Sequence, residues 1–224
     1  MSVAFDFKRE YRALYQPSRE PALIEVPPMN FVAVEGRGDP NAPDGDYQRA
    51  LSVLYGVSYT IRMSKRGGRR IEGYFDYVVP PLEGFWWMPG EAAMDFARKA
   101  DFCWLSAIRL PDFVTAADFD WAVAEASRRK GLDCGAARFT RIGEGLCAQV
   151  MHVGPYDDEP ETIARLSAFI RENGCAENLT ETRRHHEIYL SDPRRTAPEK
   201  MKTVIRTPVR MASPTSANSL RPAR

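Results

Sequence analysis

The chain has 224 residues, a formal net charge of +1, and 44% apolar against 27% charged residues, the composition of a globular protein long enough for a sizeable core. So even a balance sets up no global field toward nucleic acid or membrane, and neither is an expected direct partner. The opening MSVAFDFKREYRALY is charged throughout and no run is apolar enough to span a bilayer, so a cytoplasmic protein is expected.

Residues 1–20 form an arm with Phe5, Phe7, Tyr11 and Tyr15 spaced to clip onto a domain covering 21–210. Met29 to Glu35 alternates as a strand, and a turn-rich loop follows. Asp46 to about Met63 is a helix whose Tyr47, Leu51, Leu54, Tyr55, Ser58 and Ile61 recur at helical spacing. Lys65 to Arg70 (KRGGRR) is a basic loop that could bind phosphate but reads first as a solvated turn, because no aromatic residues interleave with its charges. Ile71 to Tyr77 reads as a strand, with Glu72 and Tyr74 on one face.

Glu83 to Met88 and Phe102 to Leu110 are further strands, the first carrying the neighbours Trp86 and Trp87 on opposite faces, the second carrying Trp104. Thr115 opens a helix with Asp118 placed for a capping box, and Gly131 closes it. Ala137–Ile142 and Leu146–Val153 flank Gly143-Glu144-Gly145 as a hairpin. A helix with Ile163, Leu166, Phe169 and Ile170 on one side runs to Asn173-Gly174. His185 to Leu190 is a strand with Ile188 and Leu190 toward a core and Glu187 and Tyr189 on the other face. Lys202 to Val209 is the last strand, and residues 211–224 read as a disordered tail.

The order strand, helix, strand, strand occurs twice, over about 25–110 and 136–210. The fold class is therefore α+β: a duplicated strand-helix-strand-strand unit, mostly antiparallel, around a central cleft. The helix of each unit is expected over Ile71 and Phe75 in one copy and over Ile188 and Leu190 in the other. That leaves the Glu72/Tyr74 and Glu187/Tyr189 pairs facing the cleft, where ligand sites favour the interface between units. The four cysteines, Cys103, Cys134, Cys147 and Cys175, form no C-x-x-C pair, and His185 and His186 point to opposite strand faces, so no metal is expected. Nothing calls for a cofactor.

The stretches NFVAVEGRGDPN (30–41), LYGVSYTIRMSK (54–65), EGFWW (83–87), IRLPDFVT (108–115), HVGPYDDEP (152–160) and HEIYLSDPRRTAPEKMKTVIRTPV (186–209) together resemble the GyrI-like small-molecule-binding domain proteins. These are similar to the effector-binding domains of multidrug-sensing regulators. The resemblance implies a pocket between two repeats. Some family members hydrolyse cyclopropane-bearing alkylating compounds and protect the cell; others only bind small molecules, or restrain DNA gyrase. The chain shows no helix-turn-helix ahead of the domain, which disfavours a transcription regulator. Carried over, the catalytic carboxylate falls on Glu187, with Tyr74 or Tyr189 as its tyrosine partner.

Chemically, a carboxylate in an apolar pocket can act as a general base on water, and a tyrosine hydroxyl can donate to the oxygen that gains charge. Phe85, Trp86, Trp87 and Trp104 can stack on a planar ligand, and at least one of the tryptophans is expected to be plain core. His152 either reaches the cleft or caps a loop. Two classes compete: a hydrolase of reactive planar compounds, and a protein that sequesters or senses cations with Glu187 and Glu72 as counter-charges. A gyrase contact is the third and weakest reading, and the chain is expected to be a monomer or homodimer.

Overall fold

The computed structural model describes residues 4–91, 94–95 and 97–212. Period-2 alternation places nine segments in one sheet: β1 (Ala22–Val26), β2 (Met29–Arg37), β3 (Leu82–Trp87), β4 (Cys103–Leu110), β5 (Arg138–Ile142), β6 (Gly145–Val153), β7 (Cys175–Glu177), β8 (His185–Tyr189) and β9 (Lys202–Met211). Its order is β1-β6-β9-β8-β3-β4-β2-β5, with β7 added beside β9, and every paired strand is antiparallel. The helices are α1 (Phe7–Glu10), α2 (Arg12–Tyr15), α3 (Asp46–Arg62), α4 (Ala116–Lys130) and α5 (Glu159–Glu172). The duplication is visible in the order: β2, α3, β3, β4 answers β6, α5, β8, β9, and β3 pairs with β8 where the halves meet.

Residues 137–153 are not a hairpin. β5 pairs with β2, and β6 pairs with β1 and β9. Only two residues separate β1 from β2, and two separate β5 from β6, so the sheet curls until its edges approach at one end. The inner face of the curl buries Phe31, Ala33, Phe85, Ala107, Cys147, Ile188 and Val204. Its filling is completed by the N-terminal arm, whose Phe7, Leu14 and Tyr15 join that cluster. The outer face carries the long helices in two separate cores. α3 and α4 cover Val32, Val34, Trp86, Trp104 and Ile108, while α5 lays Leu166 and Ile170 on Ala148, Val150 and Ile205.

Three expectations are corrected here. Ile71 to Tyr77 is not a strand: Gly73 takes φ 70° and makes a turn, and Tyr77 alone bridges to Phe5. This segment is held by rings of the arm, with Phe75 and Phe5 centroids 5.1 Å apart, instead of by a ladder. In the second repeat the helix also lies on the opposite side from the one expected, while Ile71 of the first does join the α3 and α4 core. α5 covers the face of Ile205, the register partner of Glu187, while Ile188 faces inward under the arm. Period 2 sorts two faces without saying which one a helix takes. Finally, β9 runs through Met211, and the Ala212 N–H donates to the Gly174 carbonyl at 2.8 Å; residues 213–224 of the expected tail lie outside the described residues.

Candidate functional site

The seam between the two outer cores falls over β3 and β8 at the centre of the sheet. There Glu187 is the direct register partner of Gly84, and Tyr189 that of Leu82. On β8 the side chains of His185, Glu187 and Tyr189 share the outer face. Glu187 is 7% exposed. Its Oε2 accepts the Tyr189 hydroxyl at 2.7 Å, and its Oε1 is 3.1 Å from His185 Nε2. The Tyr189 oxygen in turn accepts the Trp86 indole N–H at 2.9 Å. Gly84 makes this possible: a Cβ there would lie 2.5 Å from Trp86 Nε1 and 2.9 Å from the Tyr189 hydroxyl.

The walls come from the helices. Tyr47, in the first turn of α3, stacks on Trp86 at 5.6 Å and meets Trp104 edge-on at 5.1 Å. Tyr156, just before α5, stands edge-on to Tyr189 at 5.7 Å. Glu159, the first residue of α5, is 2% exposed. Burial and then the charge of Glu187 push its carboxyl well above the usual 4.5, which favours its protonated form. Burial first, then neighbouring carboxylates, raise Tyr156 to about 12, and burial and Glu187 raise Tyr189 well above 10.0. Glu159 Oε1, Ser106 Oγ and Thr203 Oγ1 are buried there with no hydrogen-bond partner in the structure. Buried polar atoms are ordinarily satisfied, and here Thr203 lies beside Glu159 and Ser106 beside Tyr47, so the seam is lined with polar groups.

Of the residues expected at the site, Glu187, Tyr189, Trp86 and Trp104 come together. Glu72 and Tyr74 do not join them. Glu72 is exposed on the turn, and the Tyr74 hydroxyl donates to the Arg62 carbonyl at 2.6 Å. Phe85 and Trp87 lie on the other face of β3: Phe85 stacks on His186 at 4.0 Å, and Arg184 covers Trp87 at 4.6 Å. His152 spends both ring nitrogens locally, on Thr162 Oγ1 at 2.8 Å and the Pro155 carbonyl at 3.1 Å, and so caps a loop. Sequence reasoning passed over Glu159, Tyr47, Tyr156 and His185. The nearest signal was HVGPYDDEP, which holds Tyr156 and Glu159 but reads locally as a helix start.

The arrangement sets two carboxyl groups together among aromatic rings: Glu159, whose pKa is raised, and Glu187, which accepts the Tyr189 hydrogen bond. The Tyr189 proton is committed to Glu187, so Tyr189 holds the carboxylate and does not donate to a ligand in this state. No group of three or more metal-ligating side chains occurs among the described residues, and none of their helices is long and apolar enough to cross a membrane.

No curated protein matches the chain. Two solved structures from Listeria innocua, each described as a hydrolase, are 44% and 45% identical to it. They cover 92% and 93% of the chain and all of their own, at TM-scores of 0.83 and 0.84. The EcmrR C-terminal domain, 14% identical with TM-score 0.52 over 86% of the chain and 98% of its own, shares the fold. The family model described as the GyrI-like small molecule binding domain matches residues 19–210, and the chain belongs to that family.

Proposed function

We propose that the chain is a hydrolase of planar, strained electrophiles of the cyclopropane-bearing alkylating type, and that it protects the cell by opening them. The observation that carries this reading is the buried Glu159 carboxyl, its pKa raised by burial and the Glu187 charge, near Glu187, an acceptor held by Tyr189 and His185. The likeness to Listeria proteins described as hydrolases supports it. In the reaction, Glu187 takes a proton from water as the water oxygen bonds to the ring methylene. The strained carbon–carbon bond breaks and its electron pair moves into the conjugated carbonyl. Glu159 gives its proton to that oxygen, leaving a phenol, and the proton on Glu187 returns to Glu159 through solvent. Tyr47 and Trp86, stacked on each other, offer the flat ring system an aromatic wall.

Turnover tests this directly. Incubated with a tenfold-order excess of a cyclopropane-bearing dienone, an enzyme consumes many equivalents; loss of only one equivalent overturns the hydrolase reading. Two carboxyl groups within an aromatic enclosure also suit a planar cation. Saturable, unreactive binding of cationic dyes would make the chain a sequestering protein instead.

A further inference from the structure

Away from the cleft, the basic loop Lys65–Arg70 forms a ridge between two hollows. One, of about 160 Å³, is lined by Tyr59, Ser64, Trp121, Glu125, Arg129 and Lys130 among others. The second, of about 560 Å³, is lined by Lys65, Gly68, Arg70, Ile71 and Tyr74. Both α3 and α4 end at this corner, so the fold adds Arg128, Arg129 and Lys130 to the cations of the loop. It also supplies the aromatic faces that the loop sequence lacks.

Some of these charges have partners. Lys65 pairs with Asp76, Arg69 with Asp118, and Arg128 and Arg129 share Glu125. Among the described residues, no carboxylate pairs with Arg66, Arg70 or Lys130. Basic residues in the last turn of a helix answer its dipole, which accounts for the end of α4 but not for the loop cations or the hollow. Two further observations point to a ligand. Ser64, 1% exposed, lines the hollow with a buried hydroxyl that has no partner, and the Arg69 Nε is likewise buried without an acceptor while its guanidinium lies 5.2 Å over the Trp121 ring. The Arg129 guanidinium rests against Gly67, with Nη2 3.6 Å from where a Cβ would stand, so the loop backbone and the α4 cation already pack together. The Ser64 hydroxyl and Lys130, both without a protein partner among the described residues, and Arg129, which shares Glu125, line the first hollow and match an oxyanion, which accepts several charge-assisted hydrogen bonds at once.

We infer that the hollow between the C-terminal ends of α3 and α4 is a binding site for a phosphate or pyrophosphate group, held by Arg129, Lys130 and Ser64 beside the Trp121 and Tyr59 rings. The Glu125 carboxylate in the lining does not oppose this, because two guanidiniums neutralise it. The site is independent of the hydrolase reading.

Calorimetric titration of the full chain with pyrophosphate, inorganic phosphate and AMP tests it. The expected result is saturable one-to-one binding of pyrophosphate that persists at about 150 mM sodium chloride, where diffuse surface attraction is largely screened. Arg129→Gln combined with Lys130→Gln is expected to weaken it by about tenfold or more, as befits lost charge-assisted hydrogen bonds. Ser64→Ala, which leaves the surface charges in place, weakens it less, and Glu187→Gln leaves it unchanged. AMP binding tighter than phosphate identifies a nucleotide-like ligand stacked on the rings; equal affinity identifies the free ion. Absence of saturable binding, binding that vanishes with salt, or equal affinity in the doubly substituted and wild-type proteins overturns the proposal.

Discussion

Tyr189 donates its phenolic proton to Glu187 across 2.7 Å, two positions along one strand face. Because the same oxygen accepts the Trp86 N–H, Tyr189→Phe orphans a buried donor and frees one side of the carboxylate. The expected cost is about 1–3 kcal/mol in stability, measured by urea unfolding. Turnover should fall by about tenfold to a thousandfold, on the scale of a lost oriented hydrogen bond. Tyr74→Phe, which touches only the Arg62 carbonyl and Asp76, should turn over at the wild-type rate.

Gly84 is required by contact, not by backbone conformation. A methyl group there would meet Trp86 Nε1 and the Tyr189 hydroxyl at 2.5 and 2.9 Å. Gly84→Ala should displace both rings, cost about 1–3 kcal/mol through overpacking, and quench binding of planar ligands in a tryptophan-fluorescence titration. Unaltered ligand affinity would show that the indole and phenol are free to move aside.

Much of this was legible in the sequence, and the failures have physical causes. Helix α4 declared itself through the Thr115/Asp118 capping box and the left-handed Gly131, both present. The face shared by Glu187 and Tyr189 followed from strand alternation. The Glu72/Tyr74 pair does not face Glu187/Tyr189 across a cleft, because the central partner of Glu187 is Gly84 on β3. Local pattern carries no register between distant strands. Glu159 was invisible for a related reason: a carboxylate in a first helical turn is ordinary, and only the docking of α5 on β6 and β9 buries this one near Glu187.

The Glu159 carboxyl gives the chain a signed pH dependence. Its folded value lies well above the usual 4.5, so between the two the unfolded chain has lost a proton that the folded chain keeps. Stability contributed by this group is complete below about 4.5 and declines as pH rises through the folded value. Glu159→Gln removes that decline. Urea midpoints of the variant should therefore hold up better than wild type as pH is raised above the ordinary carboxylate range.

A second polar network lies inside the curl of the sheet and should dominate acid sensitivity. His186 Nδ1 is 3.0 Å from Glu144, whose Oε1 also accepts Arg206 Nη1 at 3.0 Å. His186 Nε2 stands 3.0 Å from Glu83 Oε2 without aligned hydrogen-bond geometry. Arg206 and Gln149 reach the arm, donating to the Leu14 and Ala13 carbonyls at 2.8 and 2.7 Å. Burial opposes ionisation of Glu144, but the His186 and Arg206 charges more than offset it and hold the carboxyl at about 2. That contribution is present above 4.5 and is lost as pH falls toward 2. Burial would lower His186, yet Glu144 and Glu83 hold it above its usual 6.5, so its contribution is full below 6.5 and fades as pH rises through the folded value. Glu144→Gln should cost about 3–5 kcal/mol, the penalty of leaving buried cations unpaired, and should loosen the arm, read as faster proteolysis near Tyr11.

The central claim is that Glu187 and Glu159 divide base and acid roles, and rates against pH in the two amide variants test it most directly. General acid or base groups typically contribute about a hundred- to ten-thousandfold. With a cyclopropane-bearing dienone as substrate, Glu187→Gln should lose that order of rate at every pH. Glu159→Gln should lose a similar factor at low and neutral pH and also lose the high-pH decline of the wild type, because the proton whose loss causes that decline is gone. Wild-type turnover in Glu187→Gln, or an unchanged alkaline decline in Glu159→Gln, would contradict the division of roles.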